Sequence, residues 1–441
     1  MLEIGILGIF ALALLACVWF DLSILYALLF GFIMFFAYGI YKNHSAMQMW
    51  KMAFSGIRTV RNILITFILI GIITAIWRAG GTIPFIVYHA TKVCSPSAMV
   101  LITFLLCCLV SVLTGTSFGT AATVGVICMT MANSMGIPPL FTGGAILSGA
   151  YFGDRCSPMS TSALLVSNLT NTNIFRNIVN MIKTSLVPFA VSCAFYLALG
   201  MLYQAEMGST DVQEIFAECF DLHPSTLVPA VVIILFSLFK INVKITMSVS
   251  IVFGALLSLF IQGIQPSKLL EIAITGYYPE NRALASVLSG GGIISMTRVF
   301  AIVCLSSCYA GMFNGTGFLE GVKKILCTIS AKVTPFGGIL ITSLLTGMIA
   351  CNQTLTIMLT HQICNDVEKE PETMAVHLEN TAVVVAPLIP WSIAGSVPLG
   401  TVGAPTVCIL TACYIYLLPL WNLACAVLHS KHPQPSIANG P

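Results

Sequence analysis

Charge is what this sequence has least of. Of its 441 residues only 8% are Asp, Glu, Lys or Arg, while 57% are hydrophobic, and mean hydropathy is +0.96. Soluble domains carry about a quarter charged residues. A chain this apolar cannot clothe a water-facing surface, so the class is a polytopic membrane protein. Alternation at period two is missing from the apolar runs, which excludes a membrane β-barrel. The formal net charge of +3 is too small to attract nucleic acid. Paired CxxC spacings are missing too, so the sixteen cysteines read as small buried hydrophobes. No nucleophile–base pair, metal-spaced His or Cys cluster or nucleotide loop is visible, so neither enzyme chemistry nor a cofactor is expected; His361 and His377 stand isolated. The opening MLEIGILGIF has neither a basic n-region nor a small-residue cleavage site and is expected to be a retained first span.

What is there is a succession of apolar segments. A hydrocarbon core about 30 Å thick takes roughly 20 apolar residues per helix, which leaves room for about ten to twelve spans. Residues 2–20 and 22–41 predict a helical hairpin. Residues 42–62 hold Lys42, Lys51, Arg58 and Arg61 and no acid, so they are expected inside. Their MQMWKMAF portion predicts an amphipathic helix at the interface. Residues 82–93 read as a short segment along the surface. Loop 204–223 holds Glu206, Asp211, Glu214, Glu218 and Asp221 without a Lys or Arg and is placed outside.

Two stretches resemble each other. In residues 63–203 a span at 97–114 ends in Thr114-Gly115-Thr116-Ser117-Phe118-Gly119-Thr120. In residues 293–428 a span at 334–350 carries Leu345-Thr346-Gly347, echoing Leu113-Thr114-Gly115, and the polar break Cys351-Asn352-Gln353-Thr354 comes next. The basic segments 42–62 and 318–332, the latter with Lys323, Lys324 and Lys332, both fall inside, so the two halves start from opposite faces. That is the signature of inverted repeats with broken or re-entrant helices at the midplane. The expected division is an N-terminal unit 1–62, a first repeat 63–203, connecting spans 204–292, a second repeat 293–428 and a polar tail 429–441.

The sixteen acids can be placed almost completely. Five lie at 206–221 and four at 366–372, while Glu3, Asp21, Glu271, Glu280 and Glu320 sit at segment ends. Asp154 and Glu379 alone remain inside apolar sequence, one in each half. An acid at membrane depth is a functional-site hypothesis by default. A carboxylate withdrawn from water holds its proton more tightly, and a sodium ion arriving with neutral oxygens displaces that proton; one carboxylate is then enough for exchange. Oxygens suited to a hard cation stand close by: Ser157 and Ser160 next to Asp154, Thr116 and Ser117 in the first break, Asn352 and Gln353 in the second, and Asn380 beside Glu379. Asp154 and Ser157 are the expected sodium ligands. Arg155 is the expected charge partner of Asp154, or else a reader of a carboxylate substrate.

At these residues the chain resembles the NhaC-type sodium/proton antiporters. The likeness runs from about residue 60 onward. It is sharpest at Gly115-Thr116-Ser117-Phe118-Gly119-Thr120, at Gly149-Ala150-Tyr151-Phe152-Gly153-Asp154-Arg155-Cys156-Ser157-Pro158-Met159-Ser160 and at Pro387-Leu388-Ile389-Pro390-Trp391. The resemblance implies a multi-pass carrier of the cytoplasmic membrane that exchanges sodium for protons within the bilayer, and it leaves a homodimer open. Relatives that exchange small organic acids keep a second reading in view: a cation-coupled carrier of a small organic anion or amino acid. Three positions depart chemically from the family pattern. Thr161, Asn352 and Asn380 stand where carboxylates are usual, and Arg155 stands where Lys is usual.

Overall fold

The computed structural model describes residues 2–20, 22–92, 94–203, 209–239, 241–318 and 334–431. All of the expected amphipathic segment 318–332 but Phe318, and the polar tail beyond 431, lie outside the described residues. Among those described there is no strand, only one bridge between Tyr277 and Gly290. The chain is an all-α polytopic membrane protein, and its outer surface is studded with exposed Leu, Ile, Val and Phe such as Leu109, Leu186, Val252 and Phe260. With lipid outside, every backbone group must be satisfied within the protein, which leaves helices as the structural unit.

Helices α1 (Leu2–Trp19) and α2 (Ile24–Tyr41) form the expected hairpin, whose ends are tied by Tyr38 and Lys42 on Glu3 at 2.9 and 3.4 Å. Helix α3 (Ala46–Thr59) starts with a Ser45/Gln48 capping box and bends by 51° into α4 (Arg61–Ala79). Gly56 brings it backbone to backbone against the later helix Thr297–Thr316, where an added Cβ would sit 1.9 Å from Ser307 O. Helix α5 (Thr82–Ala90) is set into the protein and does not lie along its surface. Thr82, Ile83, Pro84 and Val87 are buried in the core, because this half of the helix is apolar on every side.

The first hairpin is α6 (Pro96–Thr114), a break at Gly115-Thr116, α7 (Ser117–Thr120), a π-helical turn at Ala121–Gly125 and α8 (Val126–Ser134). A short turn through Pro138 reverses the chain into α9 (Pro139–Cys156), which runs alongside α6. The two approach closely because α9 carries glycines on that side. At Gly153 an added Cβ would stand 2.3 Å from the backbone of Ser111 and Val112, and Ser111 Oγ donates to Ala150 O at 2.5 Å. Small residues at such crossings let dispersion act over whole backbones. Helix α10 (Thr161–Thr170) continues from α9 after a break, and α11 (Ile174–Leu202) returns across the full thickness.

The connecting part holds α12 (Ser209–Cys219), α13 (Val228–Leu238), α14 (Val243–Phe260), α15 (Pro266–Thr275), α16 (Arg282–Leu288) and α17 (Gly292–Ser295). After α18 (Thr297–Thr316) comes the second hairpin: α19 (Pro335–Ala350), a break at Cys351-Asn352 and α20 (Gln353–Cys364). Its two arms lie side by side, with Thr346 Oγ1 and Thr360 Oγ1 2.9 Å apart. Then follow α21 (Pro371–Asn380), α22 (Ala382–Val385), a turn through Ile389 and Ser392, α23 (Ile393–Val402) and α24 (Cys413–Lys431).

By length and composition three helices qualify as spans among the described residues, or up to six if each bent pair is one span, and five shorter apolar helices have 10–17 residues. Breaks at 115–116, 157–160, 351–352 and 389–392 interrupt the helical runs.

Candidate functional site

The two hairpin tips have one backbone. Gly115 takes φ 65°, ψ 26° and Thr116 takes φ −146°, ψ 123°; Cys351 takes φ 54°, ψ 12° and Asn352 takes φ −146°, ψ 130°. Each tip is a left-handed residue followed by an extended one whose side chain caps the next helix. Thr116 Oγ1 accepts from Gly119 N at 3.2 Å and Asn352 Oδ1 from Thr354 N at 2.9 Å. At the first tip only glycine serves, since a Cβ would meet the Met159 backbone at 2.6 Å. Cys351 occupies the same left-handed region at the second tip, a strained conformation for a side-chain-bearing residue.

Each tip rests against a broken helix. The first meets the break between α9 and α10 at Met159. The second meets the break between α22 and α23, where Ile393 N donates to Cys351 O at 2.9 Å and Trp391 Nε1 to Met348 O at 3.0 Å. Asp154 is two residues before the end of α9, so its carboxylate faces the gap that the break opens.

That carboxylate is 4% exposed and receives three donors. Ser160 Oγ donates to Oδ1 at 3.0 Å, Ser162 Oγ to Oδ2 at 3.1 Å and Gln353 Nε2 to Oδ2 at 3.1 Å. Gln353 Nε2 also donates to Val383 O at 3.1 Å, and the two serine hydroxyls lie 2.7 Å apart. One acid of the first half, two hydroxyls of α10 and an amide from the opposite hairpin tip thus converge on one point.

Arg155 is not the partner of Asp154. Adjacent residues on a helix point apart, and its guanidinium turns the other way into a fully buried nest. Nη1 donates to Tyr414 Oη at 3.1 Å; Nη2 donates to Met181 O at 2.9 Å, Thr184 Oγ1 at 3.1 Å and Asn380 Oδ1. Glu379, 1% exposed, lies within Coulombic reach of both Arg155 and Asp154, and its Oε2 has no hydrogen-bond partner. Among the described residues neither carboxylate is locked in an ion pair with Arg155.

Of the residues expected at the site, the structure brings together Asp154, Ser160 and Gln353, with Glu379 and Asn380 close by. Ser157 Oγ is occupied by Met159 N at 3.2 Å and makes no bond to Asp154. Thr116 and Asn352 are spent on capping. Ser117 lies beside the Tyr151 hydroxyl, which donates to Ala394 O at 2.7 Å. Sequence reasoning missed Ser162, the Val383 carbonyl and the Thr184–Tyr414 seat of Arg155. The pattern Ser160-Thr161-Ser162 at a helix start was the available signal for Ser162, because the second hydroxyl of such a cap folds back on the same turn.

No group of three or more His, Cys, Asp or Glu side chains able to hold a metal occurs among the described residues.

The profile of the Na+/H+ antiporter family matches residues 1–170 and 149–428. Over 416 residues the chain is 27% identical to the malate-2H(+)/Na(+)-lactate antiporter of Bacillus subtilis, covering 91% of this chain and 88% of that one. It is 26% identical over 371 residues to the Na(+)/H(+) antiporter NhaC of Alkalihalophilus pseudofirmus, covering 80% and 79%. An arginine/ornithine antiporter of Halobacterium salinarum is 26% identical over 391 residues, covering 84% and 80%.

Proposed function

This chain belongs to the Na+/H+ antiporter family, and we propose that it exchanges sodium for protons by letting the two compete for Asp154. The observation that carries the proposal is the meeting of Asp154, Ser160 and Ser162 with Gln353 at a gap between broken helices. A buried carboxylate left without compensation is costly, so this one is stable holding a proton or a cation and unstable holding neither. With sodium bound, Oδ1, Oδ2, the two hydroxyl oxygens and Val383 O are the oxygens within reach, and Gln353 swings its amide to suit. Gln353 comes from the other half of the chain, so its bond to Asp154 is made or broken as the halves shift. Glu379 and Asn380 tune the same charge cluster through Arg155.

Contacts at the two ends of α11 support alternating access between two inverted repeats. Gly200, at the end of α11, lies against Ser97 O at the start of α6, on the face of the acidic loop 204–223. Arg176, at the start of α11, pairs with Glu372 at the start of α21 at 2.9 Å. The first hairpin therefore enters from outside and the second from inside.

Arg155 as the reader of a carboxylate substrate finds less support, since both its terminal nitrogens are already engaged inside the protein. The test is sodium-dependent proton flux in everted vesicles, across a panel of alkali cations and without organic solute. Flux that appears only when a carboxylate or amino acid is added would overturn sodium/proton exchange as the activity.

A further inference from the structure

The two broken helices copy each other as closely as the two hairpin tips do. Ser157 (φ −97°, ψ 133°) opens the first break and Ile389 (φ −87°, ψ 115°) the second. Pro158 and Pro390 follow, and each break closes on a serine cap, Ser160 (φ −67°, ψ 135°) and Ser392 (φ −72°, ψ 140°). Ser160 N donates to Ser157 O at 3.2 Å and Ser392 N to Ile389 O at 2.9 Å. Each cap hydroxyl then accepts from the backbone two residues on, from Ser162 N and from Ala394 N, both at 3.2 Å.

Measured from these landmarks, every member of the Asp154 site has a counterpart in the other half. Asp154, three residues before the first break, corresponds to Ala386; Ser160 corresponds to Ser392 and Ser162 to Ala394. Gln353, two residues past the left-handed residue of its tip, corresponds to Ser117, and Val383, whose carbonyl holds Gln353, corresponds to Tyr151. The second set therefore has methyl groups where the first has its carboxylate and one of its hydroxyls. A cation there would meet no negative charge, and burying it uncompensated is costly. A side chain fills the place instead. Tyr151 is fully buried, and its hydroxyl, beside Ser117, donates to Ala394 O at 2.7 Å. Its counterpart Val383 has no polar side chain and leaves the first set open to an ion. Tyr151 also stands three residues before Asp154, so both project from one face of α9. The bond to Ala394 thus ties the turn that carries Asp154 to the second half.

We propose that the Tyr151 hydroxyl occupies the second half's copy of the ion site, which leaves one ion site per chain, and that as a positioning residue it seats Asp154 for that ion. This role presupposes sodium/proton exchange at Asp154. Sodium then binds to a turn already in place, and its affinity is not lowered by having to order that turn.

The experiment is equilibrium binding of radiolabelled sodium to the purified full chain in nanodiscs, with melting temperatures taken in the presence and absence of sodium. Wild type, Tyr151→Phe, and Tyr151→Phe combined with Ala386→Asp are compared. Wild type is expected to bind one sodium per chain. Tyr151→Phe still binds one, at a half-maximal concentration raised about fivefold by the lost hydrogen bond, and its sodium-induced rise in melting temperature shrinks. The double substitution returns a carboxylate to the vacated place and binds two. Two sodium ions per chain in the wild type would overturn the proposal, as would a folded double variant that binds only one. A Tyr151→Phe protein that melts lower but keeps its sodium affinity would also overturn it, because the bond would then be structural alone. A wild type that binds no sodium would sink the exchange reading itself, an outcome distinct from these three.

Discussion

Replacing Asp154 by Asn removes one charge and little else. The amide keeps the outline of the carboxylate and still accepts from Ser160 Oγ, 3.0 Å from Oδ1 in the wild type, while the Ser162 hydroxyl can turn to accept from the new NH2 group and Gln353 Nε2 keeps Val383 O as its acceptor. Folding and insertion are therefore expected to survive. A hard cation sits about 2.4 Å from a carboxylate oxygen, and two unit charges at that separation attract by about 7 kcal/mol at an effective permittivity of about 20. Part of this is offset, because the neutral amide has an oxygen of its own and no charge to desolvate. A net loss of about 3–4 kcal/mol remains, on the order of 10²–10³ in sodium affinity. The amide also has no proton to exchange, so sodium-driven proton flux in everted vesicles should disappear. The sodium-induced rise in melting temperature of the purified protein should vanish with it. Undiminished flux at an unchanged half-maximal sodium concentration would remove Asp154 from the mechanism.

Gln353→Ala deletes a bond to a charged acceptor worth about 1.5–3 kcal/mol, so the half-maximal sodium concentration should rise on the order of tenfold in the same flux assay, with normal expression. Arg155→Ala strands Asn380, Tyr414 and the Met181 carbonyl around an emptied nest. Thermal unfolding in detergent should show a loss of about 3–5 kcal/mol, and Arg155→Lys should fall between, since one ammonium cannot reach both Tyr414 and Asn380. Gly153→Ala places a methyl 2.3 Å from the Ser111 backbone, a clash no side chain can relieve by turning. About 1–3 kcal/mol should be lost, seen as a lower yield of monodisperse protein.

Much of this molecule was legible because the bilayer leaves few choices. Scarce charge fixed the class, and counting acids left Asp154 and Glu379, which the structure buries within Coulombic reach of each other. The breaks at Gly115 and Cys351 were visible as polar interruptions, yet their closely similar dihedrals were not, since nothing in the letters of Gly-Thr and Cys-Asn says they share a turn. The partners of each hydroxyl were the least legible part. Ser157 and Ser162 are the same residue type, three and eight residues after Asp154, and it is the farther one that the course of α10 after the break brings to the carboxylate, while the nearer one accepts from a backbone N–H. Arg155 misled for a related reason: adjacency in sequence suggested a pair, whereas the helix turned the two side chains to different neighbours.

The departures from the family pattern acquire a meaning once the charges are counted in space. Asn380, where an acid is usual, accepts from Arg155 without neutralising it. The guanidinium is thus left to balance Glu379, the other charge in its reach. With Asp154 and Glu379 both ionised against Arg155, the buried cluster would carry one uncompensated negative charge. One monovalent cation or one proton satisfies it, and a second would overcharge a region where ions are expensive. Exchange should therefore be one sodium for one proton and electrically silent. In proteoliposomes whose potential is clamped with valinomycin and potassium, the rate should not change between zero and −100 mV, a step that supplies about 2.3 kcal/mol to each net charge moved. Asn380→Asp adds one negative charge to the cluster and should make the exchange potential-dependent. A wild type that already responds to the clamp would show that Arg155 does not balance Glu379 during transport.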